Sequence, residues 1–210
     1  QPLPDHGEKM KNEVTLVQIM IVISVIAVIS IVALPNVFNA RLTANETAAI
    51  RTLKYIYLSQ DSFREELEEN ADNDDSGEFG SFGKLSGAVP TSKGRPADPP
   101  YLDERFKITD PNGVVESKGY RFRLFLPDKA RKIEDQVMNV VDEREGFYCV
   151  FAWPTVPGET GARVFFINQV GIAYARQVDK TTVPIETPDP AYSAEPFHSD
   201  IDINEWMLVR

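Results

Sequence analysis

Few side chains in this chain have the type and spacing to do chemistry, and none forms a catalytic set. Asp72, Asp74 and Ser76, followed by Gly77, match the opening of a calcium loop, where alternate residues present oxygens and a glycine makes the sharp turn. Such a loop needs a bidentate glutamate at its twelfth position, and Gly83 stands there. A solvated acidic turn is the simpler reading, so no metal is assigned. The single cysteine, Cys149, lies inside "FYCVFAWP". Among large apolar neighbours a thiol behaves as a small hydrophobe. A nucleophilic thiol would want a histidine beside it. The two histidines are His6, in the N-terminal tail, and His198, in a Pro-rich stretch. No triad spacing, phosphate loop or dense metal-ligand cluster is visible, so no enzyme activity and no cofactor are expected.

The charge balance narrows the partners. The chain has 210 residues and a formal net charge of −10. Phosphate binding needs a surplus of Lys and Arg, so nucleic acid is not a partner. The same balance disfavours a domain lying flat on anionic lipid. One cysteine cannot make an intramolecular disulfide, so cysteine use does not reveal the redox compartment.

The elements that position these residues begin with "VTLVQIMIVISVIAVISIVALPNVF", Val14 to Phe38. From Ile19 to Leu34 the polar side chains are Ser24 and Ser30. A spanning helix needs about 20 mostly apolar residues, and this run is apolar on all sides. A secretory signal would have a shorter core and a small-residue cleavage site after it. This run passes directly into a helix-like segment, so a retained transmembrane helix is expected. Lys9 and Lys11 flank one end, and Arg41, Arg51 and Lys54 follow the other, so the positive-inside rule does not orient it. Ser24, Ala27 and Ser30 are small and spaced by three. They could admit a neighbouring helix, or small residues could simply be tolerated in lipid.

Beyond Pro35, which a membrane helix tolerates with a kink, Ala49, Leu53, Ile56, Phe63 and Leu67 follow helical spacing, with Gln60 on the same face. One helix from about Val14 to about Glu69 is therefore expected, its second half packing one face on a domain. Gly and Asp then end it in an acidic loop. "GYRFRLFLP", "GFYCVFAWP", "ARVFFINQ" and "GIAYARQV" read as strands, with Arg121 and Arg123 on a wet face and "NQVG" as a hairpin link. "ARKIEDQVMNVVDEREG" could be a short helix or a long loop. The Pro-rich end is too irregular for a core. Trp206 there could anchor a partner or simply pack. The expected organisation is a polar tail over 1–13, a transmembrane helix over 14–38, its amphipathic continuation over 39–69, an α+β sheet domain over 70–180, and a C-terminal extension over 181–210.

This order of elements resembles the type IV pilin and pseudopilin family. The resemblance rests on "VTLVQIMIVISVIAVISIVALPNVFNARLTANETAAI", where Val14 takes the place of the mature first residue and Pro35 that of the helix-kinking proline. "FGSFGKLSG", "GYRFRLFLPD", "FYCVFAWPT" and "GARVFFINQVGIAYA" are similar to the sheet domain of a bacterial pilin-like subgroup. It implies a long helix leaning on a small antiparallel sheet, an inner-membrane location with the N-terminus cytoplasmic and the sheet domain periplasmic, and no enzyme activity. Two positions depart from the family. Glu13 holds the place of the glycine before the cleavage site, and Gln18 that of the glutamate thought to pair with a neighbour's free amine. The two losses are consistent. A carboxylate in lipid is expensive without a cation beside it, and an uncut chain offers no new amine at Val14. The expected function is therefore a single-pass accessory subunit that stabilises a larger membrane complex, secretory, respiratory or photosynthetic. Its partners would be other membrane proteins and the bilayer. The alternative is a pilin or pseudopilin filament subunit.

Overall fold

The computed structural model describes residues 15–127, 132–133, 136–137, 144–178 and 206–209. The chain divides into two compact units, Gln1–Ala40 and Arg41–Arg210.

Helix α1 runs from Leu16 to Glu65, 50 residues, with Pro35 inside it. The expected extent was Val14 to Glu69. A reciprocal cap opens it. The Thr15 N–H donates to Gln18 Oε1 at 2.9 Å, and the Gln18 N–H faces Thr15 Oγ1 at 3.4 Å. This is the capping box, which occupies first-turn groups that have no helical partner. Ile and Val then carry the helix without cost to backbone hydrogen bonding. Pro35 does not end it. At the far end the Leu67 N–H bonds Arg64 O at 3.0 Å and the Glu68 N–H bonds Phe63 O at 3.3 Å. That is a Schellman closure, and it requires a left-handed residue. Leu67 takes that place, with φ 52°. Helical spacing predicts Leu67 on the buried face. It is instead the residue that turns the chain out of the helix, and it is half-buried.

Within Arg41–Arg210, the predicted helix face is the buried one. Ala49, Leu53, Ile56 and Phe63 are at most 2% exposed, and Gln60 is fully buried. Gln60 is polar there because its amide pairs with backbone. Its Nε2 donates to Gly80 O at 2.7 Å, and the Gly80 N–H donates to its Oε1 at 2.9 Å. The side chain thereby returns the chain from the acidic loop onto the helix. A Cβ at Gly80 would stand 2.7 Å from the Phe63 ring, so the approach needs glycine.

The sheet has six strands: β1 Val114–Ser117, β2 Tyr120–Phe125, β5 Cys149–Pro154, β6 Arg163–Asn168, β7 Ala173–Gln177 and β8 Met207–Leu208, in the spatial order β1-β2-β5-β6-β7-β8. Every pairing in it is antiparallel. A separate hairpin joins β3 (Lys132–Ile133) and β4 (Gln136–Val137). It lies in the stretch read as a short helix or loop, the rest of which is outside the described residues except for its end at 144–146. A short helix α2 (Phe82–Leu85) and a 3-10 turn (Glu104–Phe106) pack Phe82, Leu85 and Phe106 into the core.

One face of the sheet carries Tyr120, Phe122, Val150, Ala152, Phe165 and Ile167 and meets α1. The opposite face is not the wet face that Arg121 and Arg123 suggest. Both arginines are half-buried. Cys149, Phe151, Trp153, Val164, Phe166 and Trp206 form a second apolar cluster on that side. Phe151 stacks on Phe166 at 5.4 Å, and Phe166 on Tyr174 at 5.5 Å. The Arg123 guanidinium lies 4.8 Å from the Phe125 ring centroid. Arginine stems and planes cover aromatic surface there while their charges stay hydrated.

Candidate functional site

The apolar half of α1, the acidic loop and the buried thiol are the places where chemistry could reside. In the first, Leu16, Val22, Ile26 and Ile31 are 73, 56, 57 and 74% exposed, and the most apolar 18-residue window has mean hydropathy 2.9 with none of it buried in the protein. The helix is long and apolar enough to cross a membrane. Leu16 to Phe38 spans about 34 Å at 1.5 Å per residue, against about 30 Å of hydrocarbon. The Ser24 hydroxyl donates to Met20 O and the Ser30 hydroxyl to Ile26 O, both at 2.8 Å. Neither serine therefore presents an unsatisfied donor to an apolar surrounding. Ala27 is exposed beside them. Gln18 spends its acceptor oxygen on the cap of its own helix.

The acidic loop is knotted by carboxylates. Glu69 Oε1 pairs with Lys84 Nζ at 2.5 Å, and Glu69 Oε2 accepts from the Ser92 N–H at 3.0 Å. Glu68 pairs with Lys93 at 3.0 Å. Glu66 accepts from the Tyr101 hydroxyl at 2.5 Å. Glu78, 2% exposed, accepts from the Ala71 N–H at 2.8 Å. Burial pushes the Glu78 carboxyl above the usual range, and Glu69 nearby adds to the effect.

Of the predicted calcium residues, the structure keeps Asp72 and Asp74 together and brings Glu145 to them. Carboxylate oxygens of Asp72, Asp74 and Glu145 lie within 4.8 Å of one another. The Ser76 N–H instead donates to Asp74 Oδ1 at 2.7 Å, an Asx turn. Glu145 arrives because Phe79 N–H bonds Arg144 O at 2.9 Å and Arg64 Nη1 bonds Glu145 O at 3.1 Å. No sequence spacing links Glu145 to the loop. Three carboxylates supply part of the six to eight oxygens that calcium takes.

Cys149 is 1% exposed, and burial raises its thiol far above the ordinary value. It is packing, as its apolar neighbours suggest. His6 and His198 lie outside the described residues. Trp206 is 7% exposed, 5.3 Å edge-on to Phe166, with the Arg176 guanidinium 5.2 Å from its ring. Its indole area is used inside the domain. Residues 206–209, expected to be too irregular for a core, add strand β8 to the sheet, and the Val209 N–H bonds Ala173 O at 2.9 Å.

One junction gave no signal in the sequence. Glu46 Oε2 accepts from Arg163 Nε and Nη2 at 2.9 and 2.7 Å, and Glu46 Oε1 accepts from the Ala162 N–H at 2.9 Å. Asn45 Nδ2 donates to Thr160 O at 2.9 Å. Two adjacent helix residues thus hold the start of β6. A helical carboxylate reads as solvated until its partner, 117 residues away, is known.

No curated protein and no solved structure matches the chain. A family model described as "Protein of unknown function (DUF2950)" matches residues 32–196. The match covers most of the chain, from the end of the apolar run through strand β7, so the protein belongs to that family.

Proposed function

We propose that the protein is a non-catalytic, single-pass membrane subunit with a pilin-like plan, which stabilises a larger complex of the cytoplasmic membrane through helix packing and contacts of its outer domain. The observation that carries this reading is the contrast along α1. The half after Arg41 is amphipathic and buries Leu53, Ile56 and Phe63 under a sheet, whereas the half before it is apolar on all sides and leaves large apolar side chains 48–74% exposed. Apolar surface on that scale needs lipid or other helices around it. The resemblance at "VTLVQIM" supports a cytoplasmic N-terminus and a sheet domain outside. The buried thiol and the absence of a recognisable catalytic set among the described residues support a structural role.

Carbonate extraction of native membranes tests the anchor, and intact-mass measurement tests the subunit's form. Retention in the membrane pellet, with residues before Val14 still attached, is expected. A native chain that begins at Val14 with a methylated amine would favour the filament alternative. Release into the soluble fraction would end the membrane reading.

A further inference from the structure

We infer that the outward stripe of α1 formed by Arg51, Lys54, Tyr55 and Leu58 is a docking surface for an acidic amphipathic helix of a different protein. These four residues stand at i, i+3, i+4 and i+7, so they form one continuous surface row. All four are exposed, Tyr55 at 38% and Leu58 at 60%. The Tyr55 hydroxyl donates to Tyr101 O at 2.9 Å, which fixes the side chain at the surface.

The row brings two cations without a counter-charge onto one surface. Among the described residues, many other cations of the domain, though not Arg41 or Lys118, have a carboxylate, carbonyl or ring partner, for example Lys84 with Glu69, Lys93 with Glu68, Arg121 with Glu116 and Arg163 with Glu46. Arg51 and Lys54 have none. A chain with formal net charge −10 could easily have supplied one. Upstream, Glu46 is buried against Arg163 and turned away from the row. Downstream, Asp61 is half-buried and Glu65 lies two turns past Leu58. Two unpaired cations flanking an exposed leucine and tyrosine fit a helix that offers carboxylates beside an apolar stripe.

A second copy of this chain is the wrong occupant. This step rests on the membrane-anchor reading. Copies held by the same helix share one orientation and one depth. A symmetric contact through this row would set Arg51 and Lys54 against the same cations of the neighbour, and like charges facing each other are destabilising.

The test uses the full chain in its native membrane, with a photo-crosslinking phenylalanine analogue at position 58 and, as control, at position 108, where Ile108 is 83% exposed. The expected result is an adduct at position 58 with a different protein, whose crosslinked peptide carries Asp or Glu at helical spacing. Combining R51E and K54E should cut its yield about tenfold or more, while the position 108 background is unchanged. Among the described residues neither has a partner, so the double variant should keep its unfolding midpoint. An adduct of this chain with itself, an adduct with lipid only, no adduct, or a yield indifferent to the charge reversal would each overturn the proposal. Carbonate extraction of the same membranes keeps loss of the anchor distinguishable from loss of the docking surface.

Discussion

Glu46 shows how a single residue joins helix and sheet. It is 8% exposed, and its carboxylate meets Arg163 and the Ala162 N–H. Removing one partner of a buried pair leaves the other uncompensated. The Arg163 side chain is 34% exposed, so water relieves part of that loss. Glu46→Ala is expected to cost about 2 kcal/mol, read by urea denaturation through the fluorescence of Trp153 and Trp206. Glu78 acts in the other direction. Its folded-state pKa is raised chiefly by burial; the Ala71 N–H bond pulls it down, and Glu69 adds to the rise. The folded protein therefore holds that proton more tightly than the unfolded chain does. The stability this contributes is fully present below the ordinary glutamate pKa and is lost as pH rises through the folded value. Glu78→Gln keeps an oxygen for the Ala71 N–H and removes the charge. It should raise the melting temperature at neutral pH, with the gain closing as the pH falls to about 4.

At the scale of elements, helix α1 was legible because period and length agree over many turns. Ala49, Leu53, Ile56 and Phe63 all fall where the spacing puts them. Leu53→Ala should cost about 3 kcal/mol in the same denaturation experiment. The helix end was less legible, since Leu67 continues the apolar spacing while adopting a left-handed backbone. The edge strands were missed for a different reason. Four residues in β1 and two in β8 are too few to show a period. The β1–β2 link is a two-residue turn in which Lys118 and Gly119 both have positive φ, 51° and 76°. That geometry favours Asn-Gly. Lys118→Asn should stabilise the domain by about 0.5 kcal/mol, seen as a higher denaturation midpoint.

At the scale of the molecule, the apolar half of α1 and the sheet unit can be tested separately. Ile26→Lys sets an ammonium in the middle of the exposed apolar run. Insertion of such a charge costs roughly 2.5–3.5 kcal/mol. The variant is expected to shift from the membrane pellet toward the carbonate-soluble fraction, with its tryptophan emission unchanged because Trp153 and Trp206 both belong to the sheet.

By itself the sequence determined an apolar run of membrane length, its continuation as a one-faced helix, four of the strands and an inert cysteine. Each of these depends on residues close together in the chain, where periodicity and composition carry the physics. Tertiary structure alone decided that Glu145 joins Asp72 and Asp74. It also decided that Gln60 completes a backbone pair, that Glu46 grips Arg163, and that the face bearing Arg121 and Arg123 is backed by aromatics. Those outcomes depend on contacts between residues distant in sequence, and a polar side chain shows whether it is solvated or paired only when its neighbours are in place.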